Sequence, residues 1–167
     1  MVNDMLSIKR FLVLLLCFLP AAGIFAAEKQ AIGWVEKVTI DNSDFKLKAK
    51  IDTGATTTSV SAKILKKFVR NGENWMRFQI EDEKNNKLIL ERRVLKYVKI
   101  KRKLIFSIKR PVITLGICIG NVYRKEEVNL SDRKNFIYPA LIGRNFLKGY
   151  FLVDSEKKFT VKPGCKF

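Results

Sequence analysis

The sequence contains no histidine. Ser-His and Cys-His dyads, HExxH zinc sites and zinc deaminase signatures all require one, so these classes of enzyme are excluded. The phosphate-binding patterns GxxxxGK[ST] and GxGxxG are also absent. The remaining carboxylates and cysteines have no metal-ligand spacing, and we therefore expect no metal ion and no other cofactor. Carboxylate chemistry is what remains for catalysis.

Cysteine is scarce, with three residues in 167. Cys17 falls in the apolar N-terminal segment, which leaves Cys118 and Cys165 for the rest of the chain. Two cysteines in a chain with an ample apolar core are not a disulfide framework. An oxidising compartment would permit a bond between them. A buried thiol at Cys118 and a separate thiol at Cys165 form the alternative, and the sequence leaves both open.

Long apolar runs are absent except near the N-terminus. There Lys9 and Arg10 precede the apolar run from Phe11 to Pro20, and the small-residue stretch "AAGIFAAE" follows. This layout is typical of a secretory signal peptide, and the run is short for a membrane span. We predict a signal peptide over residues 1–27, a single domain over residues 28–167, and export to the periplasm or the medium. An uncleaved anchor is the alternative.

Acidic residues are outnumbered by basic ones, 16 to 33, which gives a net charge of +17. This excess favours anionic partners such as acidic peptides or an anionic membrane surface. Nucleic acid is not expected, because the chain is predicted to be exported and has no RNA-binding motif or zinc-finger spacing. A solvated basic surface is the plainer interpretation for most of these lysines.

Segments of helical period are also rare. Apolar residues alternate with polar ones in "KLKAKI" and "WMRFQI", and β-rich runs recur at "VLKYVKI", "PVITLGICI", "YFLVD" and "KFTVK". Turn signals separate them at Asn71-Gly72, "EDEKNNK", Gly120-Asn121 and "DSEKK". Only "GRNFLKG" and "AKILKKF" resemble helical turns. The pattern predicts an all-β barrel or sandwich, with a projecting hairpin in the cation-rich segment from Arg92 to Arg110.

One short stretch, "AKIDTGATTTSV", contains the candidate carboxylate. Asp52 follows a strand of alternating polarity and precedes Thr53, Gly54 and Ala55, so it is expected where the strand leaves the sheet. Backbone N–H groups of such a turn can hydrogen-bond the carboxylate while leaving it exposed. Alone, this is ordinary turn chemistry.

A second stretch, "PALIGRNFLKGYFLVD", changes that interpretation. Asp-Thr-Gly-Ala near the start of a β domain, with Leu-Ile-Gly-Arg-Asn near its end, is the paired pattern of retropepsin-like aspartic peptidases. The chain resembles that family over most of residues 31 to 162. It is most similar to the bacterial branch often labelled "ATP-dependent zinc protease", one of whose members trims glutamate tails added to a ribosomal protein. Neither a zinc site nor a nucleotide loop is found in the sequence.

The resemblance implies a closed β-barrel with one short C-terminal helix and an active site on the two-fold axis of a homodimer. Asp52 from each subunit would form a catalytic dyad, Thr53 would brace it and Gly54 would let the substrate backbone approach. Gly143 would pass close behind the catalytic loop, with Asn145 in the same structural motif.

Substrate binding is assigned to Ala55, Arg110 and Arg144. Viral relatives carry an acidic residue two positions after the glycine, which pairs with the arginine of Gly-Arg-Asn, but here that position is Thr56. Arg144 therefore needs another partner or is free for a substrate carboxylate. The predicted function is an exported aspartic peptidase that prefers acidic peptides. The alternative is a non-catalytic, basic β-barrel binding module at the cell envelope.

Overall fold

The structure, a computed structural model, describes residues 28–102, 106–132 and 136–166. The predicted signal peptide lies outside these ranges. No helix among the described residues is long and apolar enough to cross a membrane.

We number the strands and the one helix of the described residues in chain order. The strands are β1 (Gln30–Ile40), β2 (Lys46–Ile51), β3 (Thr58–Ser61), β4 (Lys63–Arg70), β5 (Glu73–Glu81), β6 (Lys87–Arg93), β7 (Lys96–Arg102), β8 (Phe106–Ile119), β9 (Val122–Ser131), β10 (Ala140–Ile142) and β11 (Phe151–Lys158), and the helix is α1 (Arg144–Leu147).

Eight of these strands form one sheet, in the order β11-β1-β2-β10-β3-β9-β8-β7. The far end of β1 also pairs with β8, through Thr39 with Cys118 and Ile40 with Ile117, so the sheet curls back on itself. β10 is wedged between β2, to which it is parallel, and β3, to which it is antiparallel. This insertion brings the ends of both predicted motifs side by side.

The core lies on one face of this curled sheet. Leu47, Ala49 and Ile51 of β2 are all buried, as their alternation with lysine predicted. β4, β5 and β6 form a second sheet. It contributes Met76, Phe78 and Ile80, three fully buried side chains of β5, to the same core. The predicted strand face of "WMRFQI" is therefore confirmed.

The turn at Asn71-Gly72 joins β4 and β5 as predicted, and both residues have positive φ, 53° and 76°. The prediction of a helical turn in "AKILKKF" is wrong, because Lys63 to Phe68 pair with β5 as a strand. The register shifts between Ile64 and Lys66, and this bulge interrupts the two-residue alternation that identifies a strand.

The predicted turn at "DSEKK" is also wrong. β11 continues through Lys158 and runs parallel to β1. The register jumps from Gly33 opposite Asp154 to Val35 opposite Lys158, so the polar residues between them form an irregularity within the strand. The polar composition of this part of β11 resembles that of a turn, because this edge of the sheet faces solvent.

The cation-rich segment forms a hairpin, with β7 paired to β8 from Lys96 opposite Val112 to Arg102 opposite Phe106. Its tip lies outside the described residues. β7 is the last strand of the eight-stranded sheet. The all-β class with a short C-terminal helix is thus confirmed, whereas the closed barrel and the two-fold axis stay predictions.

The C-terminal segment is fixed by two independent contacts. A disulfide joins Cys118 to Cys165, which resolves the alternative that the sequence left open. In addition, the fully buried Glu36 accepts hydrogen bonds from Thr160 and Val161. The last described residues are therefore fixed to β1 and β8.

Candidate active site

Asp52 lies where the sequence predicted it, one residue beyond the end of β2. Its backbone N–H donates to Ile142 O of the neighbouring β10 at 2.9 Å, which fixes the point where the chain leaves the sheet. Its side chain is half-buried. Oδ1 accepts hydrogen bonds from the N–H groups of Gly54 and Ala55, at 3.0 and 3.2 Å. The carboxylate is therefore oriented by its own turn.

Thr53 and Gly54 are exposed at the tip of this turn, and Ala55 is half-buried. A Cβ added to Gly54 would lie 3.2 Å from Asp52 Oδ1. Glycine therefore keeps the space beside the carboxylate open, as a substrate-binding turn needs.

The second motif supports the turn from behind through backbone hydrogen bonds. Arg144 N–H donates to Ala55 O at 2.8 Å, and Asn145 N–H donates to Thr56 O at 3.0 Å. At Gly143 an added Cβ would lie 2.7 Å from the backbone carbon of Thr57. Only glycine allows the two backbones to come this close. The predicted close passage of Gly143 behind the loop is thus seen directly.

Thr58 connects the two motifs through its side chain. Its hydroxyl donates to Asn145 Oδ1 at 2.9 Å and accepts from the N–H of Gly143 at 3.1 Å. Its backbone N–H donates to the same Asn145 oxygen, and Asn145 Nδ2 donates to Glu127 O of β9. Thr58 is fully buried. Sequence reasoning missed Thr58, although its position in the run that follows Asp-Thr-Gly-Ala was a usable signal.

Arg144 directs its guanidinium at the outside of the same turn. Nη1 donates to Thr53 O and Gly54 O, and Nη2 donates to the hydroxyl of Thr56. Of the two alternatives for this arginine, these bonds match the one in which the backbone replaces the missing acidic partner. Arg144 thus braces the residues that carry Asp52.

Arg110 lies apart from this turn, in the wall of a cleft of about 1330 Å³ between the two sheets. The lining also includes Ser61, Ser131 and Ile108, together with charged residues of both signs. Arg110 is half-buried. The structure therefore brings seven of the eight predicted site residues together and puts Arg110 in a neighbouring groove.

The arrangement presents one carboxylate with one oxygen held by the turn. Among the described residues, no hydrogen bond to Asp52 Oδ2 is formed, so this oxygen is open to a water or a substrate. Within the same residues, no group of three or more potential metal-binding side chains is found. A half-exposed carboxylate with a fixed direction can act as a general acid or base.

Comparison with known proteins agrees with this geometry. A family model described as RimB-like, retropepsin-like aspartic endopeptidase RimB, matches residues 31–163. A crystal structure of a Legionella pneumophila protein, titled as having unknown function, superposes with a TM-score of 0.70 at 34% identity. That match covers 81% of this chain and all of the Legionella chain.

Two curated relatives carry a different name. Proteins called probable alpha-L-glutamate ligase, from Shewanella pealeana and Shewanella halifaxensis, are 33% and 32% identical over 116 residues. The alignments cover 68% of this chain but 25% of each relative. The ligase name therefore describes proteins of which this chain spans about a quarter. Since the family model covers nearly all the described residues, the chain belongs to the RimB-like family of retropepsin-like aspartic endopeptidases.

Proposed function

We propose that the chain is an exported, homodimeric aspartic endopeptidase that hydrolyses peptide bonds, with a preference for acidic peptides. The observation that carries this proposal is the Asp52 turn, a half-exposed carboxylate whose Oδ1 is held by two N–H groups while Oδ2 stays open. The family to which the chain belongs supports the same chemistry.

One such carboxylate per chain explains why the proposal includes a dimer. In an aspartic dyad, one carboxylate takes a proton from water while the other, already protonated, donates to the carbonyl oxygen of the substrate. The water oxygen bonds to the carbonyl carbon. The C–N bond then breaks as the amine takes the proton that the first carboxylate removed from water, and a hydroxyl of the tetrahedral intermediate returns a proton to the second carboxylate. Two carboxylates in direct contact share one proton, because two negative charges side by side repel each other. The exposed tip at Thr53 and Gly54 is the surface where a second Asp52 would approach.

Export is supported by two independent features. The N-terminal sequence has the layout of a signal peptide, and the described residues contain a disulfide between Cys118 and Cys165, a bond that persists in oxidising compartments. Cell fractionation combined with the N-terminal mass of the mature protein tests this part. A cytoplasmic protein that retains residues 1–27 would contradict it.

The test of the function is peptide cleavage by purified residues 28–167, with the products mapped by mass spectrometry on a library rich in acidic residues. Asp52→Asn is the informative variant, because an amide oxygen still accepts from Gly54 and Ala55 while the general acid and base are lost. We expect cleavage to fall by at least about a thousandfold. Full activity of the variant would refute the proposed role of Asp52, whereas the absence of cleavage by the wild-type protein would favour the non-catalytic binding module.

A further inference from the structure

The lysines of β2 occupy the face of the sheet opposite the core. Leu47, Ala49 and Ile51 are buried, so the alternate residues Lys46, Lys48 and Lys50 point the other way. Lys50 is exposed and lies two residues before Asp52. At the rise of an extended strand, that separation is about 6 to 7 Å along the chain.

Strand pairing extends this position into a row across the sheet. Lys50 is paired with Leu141, Leu141 with Ser59, and Ser59 with Asn129. Directly paired residues point to the same face, so all four share the face of Lys50. The residues next to this row belong to the candidate active site. Ile142, next to Leu141, accepts a hydrogen bond from Asp52 N–H, and Thr58, next to Ser59, accepts one from Gly143 N–H in the second motif.

The residues in the middle of the row are buried or half-buried, and two of them are polar. Leu141 is half-buried, while Ser59 and Asn129 are 5% and 8% exposed. Asn129 Oδ1 is buried and forms no hydrogen bond among the described residues. The row continues from Asn129 to Val112 and ends at Lys96. The row is therefore a largely buried line of residues across the sheet, with a lysine at each end.

The two lysines differ in what they already bind. Lys96 Nζ lies 2.6 Å from Glu127 Oε2 and is thus already paired with a carboxylate. Within the part of the chain that the structure describes, no carboxylate lies within ion-pair distance of Lys50. Arg144 has its guanidinium on the turn, and Arg110 lies farther along in the neighbouring cleft.

We propose that Lys50 determines specificity, by binding the carboxylate of an acidic side chain in a substrate residue next to the scissile bond. This inference rests on the proposed function and assigns its acidic preference to one residue. A peptide carbonyl held at Asp52 brings the adjacent side chain to the end of β2, within reach of a flexible lysine. Leu141, on the same face, contacts the aliphatic part of the acidic substrate side chain. In a two-fold dimer each subunit supplies one Lys50, so one Lys50 side chain lies on each side of the scissile bond.

The test uses pairs of peptides that differ only by Glu or Gln at the residue next to the mapped cleavage site. The quantity measured is the ratio of kcat/KM for the Glu peptide to that for the Gln peptide. A charge-assisted hydrogen bond predicts a ratio of about 10 to 100 for the wild-type protein. We expect Lys50→Gln to bring the ratio close to one, Lys50→Glu to reverse it and Lys50→Arg to retain most of it.

Lys46→Gln is the matched control, because Lys46 is an exposed lysine on the same face of the same strand, four residues farther back. It should leave the ratio unchanged, and the sedimentation behaviour of every variant should match the wild type. A wild-type ratio near one, or the wild-type ratio retained in Lys50→Gln, would overturn the inference while Asp52-dependent cleavage stands. Absence of any Asp52-dependent cleavage would overturn the proposed function and this inference with it.

Discussion

Asp52 and Glu36 are both carboxylates held by backbone N–H groups, yet their surroundings differ. Glu36 is fully buried; its Oε1 accepts from Gly33 N–H and from both the N–H and the hydroxyl of Thr160, while Oε2 accepts from Val161 N–H. Asp52 is half-exposed, and within the described ranges only its Oδ1 accepts hydrogen bonds. Glu36 uses both oxygens to hold the C-terminal segment in place, whereas Asp52 keeps one oxygen for chemistry. A carboxylate with an unused oxygen beside an exposed turn is what separates the candidate active site from a structural contact.

The largest expected effect concerns the C-terminal segment that Glu36 and the disulfide hold together. Cys118 and Cys165 are 47 residues apart in sequence. Loop-closure entropy therefore predicts that reduction lowers the free energy of unfolding by about 2 to 4 kcal/mol. Urea unfolding with and without reductant measures this loss. At temperatures where the reduced protein stays folded, cleavage should change by less than about twofold, since the disulfide is remote from the Asp52 turn.

Cys165→Ala provides the control, because it should be less stable from the start and should not respond to reductant. A wild-type stability that does not change on reduction would show that the disulfide contributes little to holding the segment.

Removing the Glu36 carboxylate sharpens the comparison directly. Glu36→Ala removes an acceptor from the N–H groups of Gly33, Thr160 and Val161 and leaves the buried Gly33 N–H with only its 3.1 Å bond to the Thr160 hydroxyl, so we expect a loss of about 3 kcal/mol in unfolding free energy. The matching Asp52→Ala removes an acceptor that only exposed or half-exposed groups use, and should cost less than about 1 kcal/mol. Equal losses in urea unfolding would remove the distinction between the two carboxylates.

The strands could largely be predicted from the sequence, because burial of one sheet face imposes a two-residue alternation. The failures have a shared physical cause. The register shifts at two places: β4 has one extra residue between Ile64 and Lys66, and β11 has two extra residues opposite Gly33 to Val35. Extra residues interrupt the alternation. The bulge in β4 therefore resembles a helical turn, and the irregular second half of β11 resembles a turn that follows a strand.

The candidate site likewise contains residues that local motifs predict and contacts that only the tertiary structure reveals. Asp52, Gly143, Arg144 and Asn145 could be found because each lies in a short motif. The C-terminal partners of Glu36, Thr160 and Val161, are 124 and 125 residues away, so its role in holding that segment could not be predicted from local sequence. The row that begins at Lys50 depends on the register of several pairs of strands, which composition alone does not fix.

Thr58→Val tests how far catalysis depends on the support behind the turn. The substitution keeps the shape of the side chain but removes the hydroxyl that joins Asn145 to the N–H of Gly143. We expect a loss of about 2 kcal/mol in stability and of about tenfold in kcat, because the Asp52 turn is less well oriented. Thr114→Val, at an exposed threonine of β8, is the matched control and should change neither quantity appreciably. Unchanged kcat in Thr58→Val would mean that the turn holds its own shape.

The smallest expected effect comes from restoring an acidic residue at position 56. The guanidinium of Arg144 already reaches the hydroxyl of Thr56 at 3.0 Å, on the exposed side of the turn. Thr56→Asp should therefore form an ion pair that stabilises the fold by about 0.5 kcal/mol and weakens at high salt. Thermal unfolding at two salt concentrations measures this, with Thr56→Asn as the uncharged control. A destabilised Thr56→Asp would show that the backbone bonds of Arg144 cannot accommodate a carboxylate.

The central claim is that one active site needs Asp52 from two chains, and a mixing experiment tests it most directly. Wild-type protein and Asp52→Asn are combined in equal amounts at constant total concentration and allowed to exchange subunits before cleavage is measured. If only wild-type pairs are active, the mixture should retain about one quarter of the wild-type rate, because random pairing squares the wild-type fraction. A rate of about one half would show that each chain acts alone and would contradict the dyad.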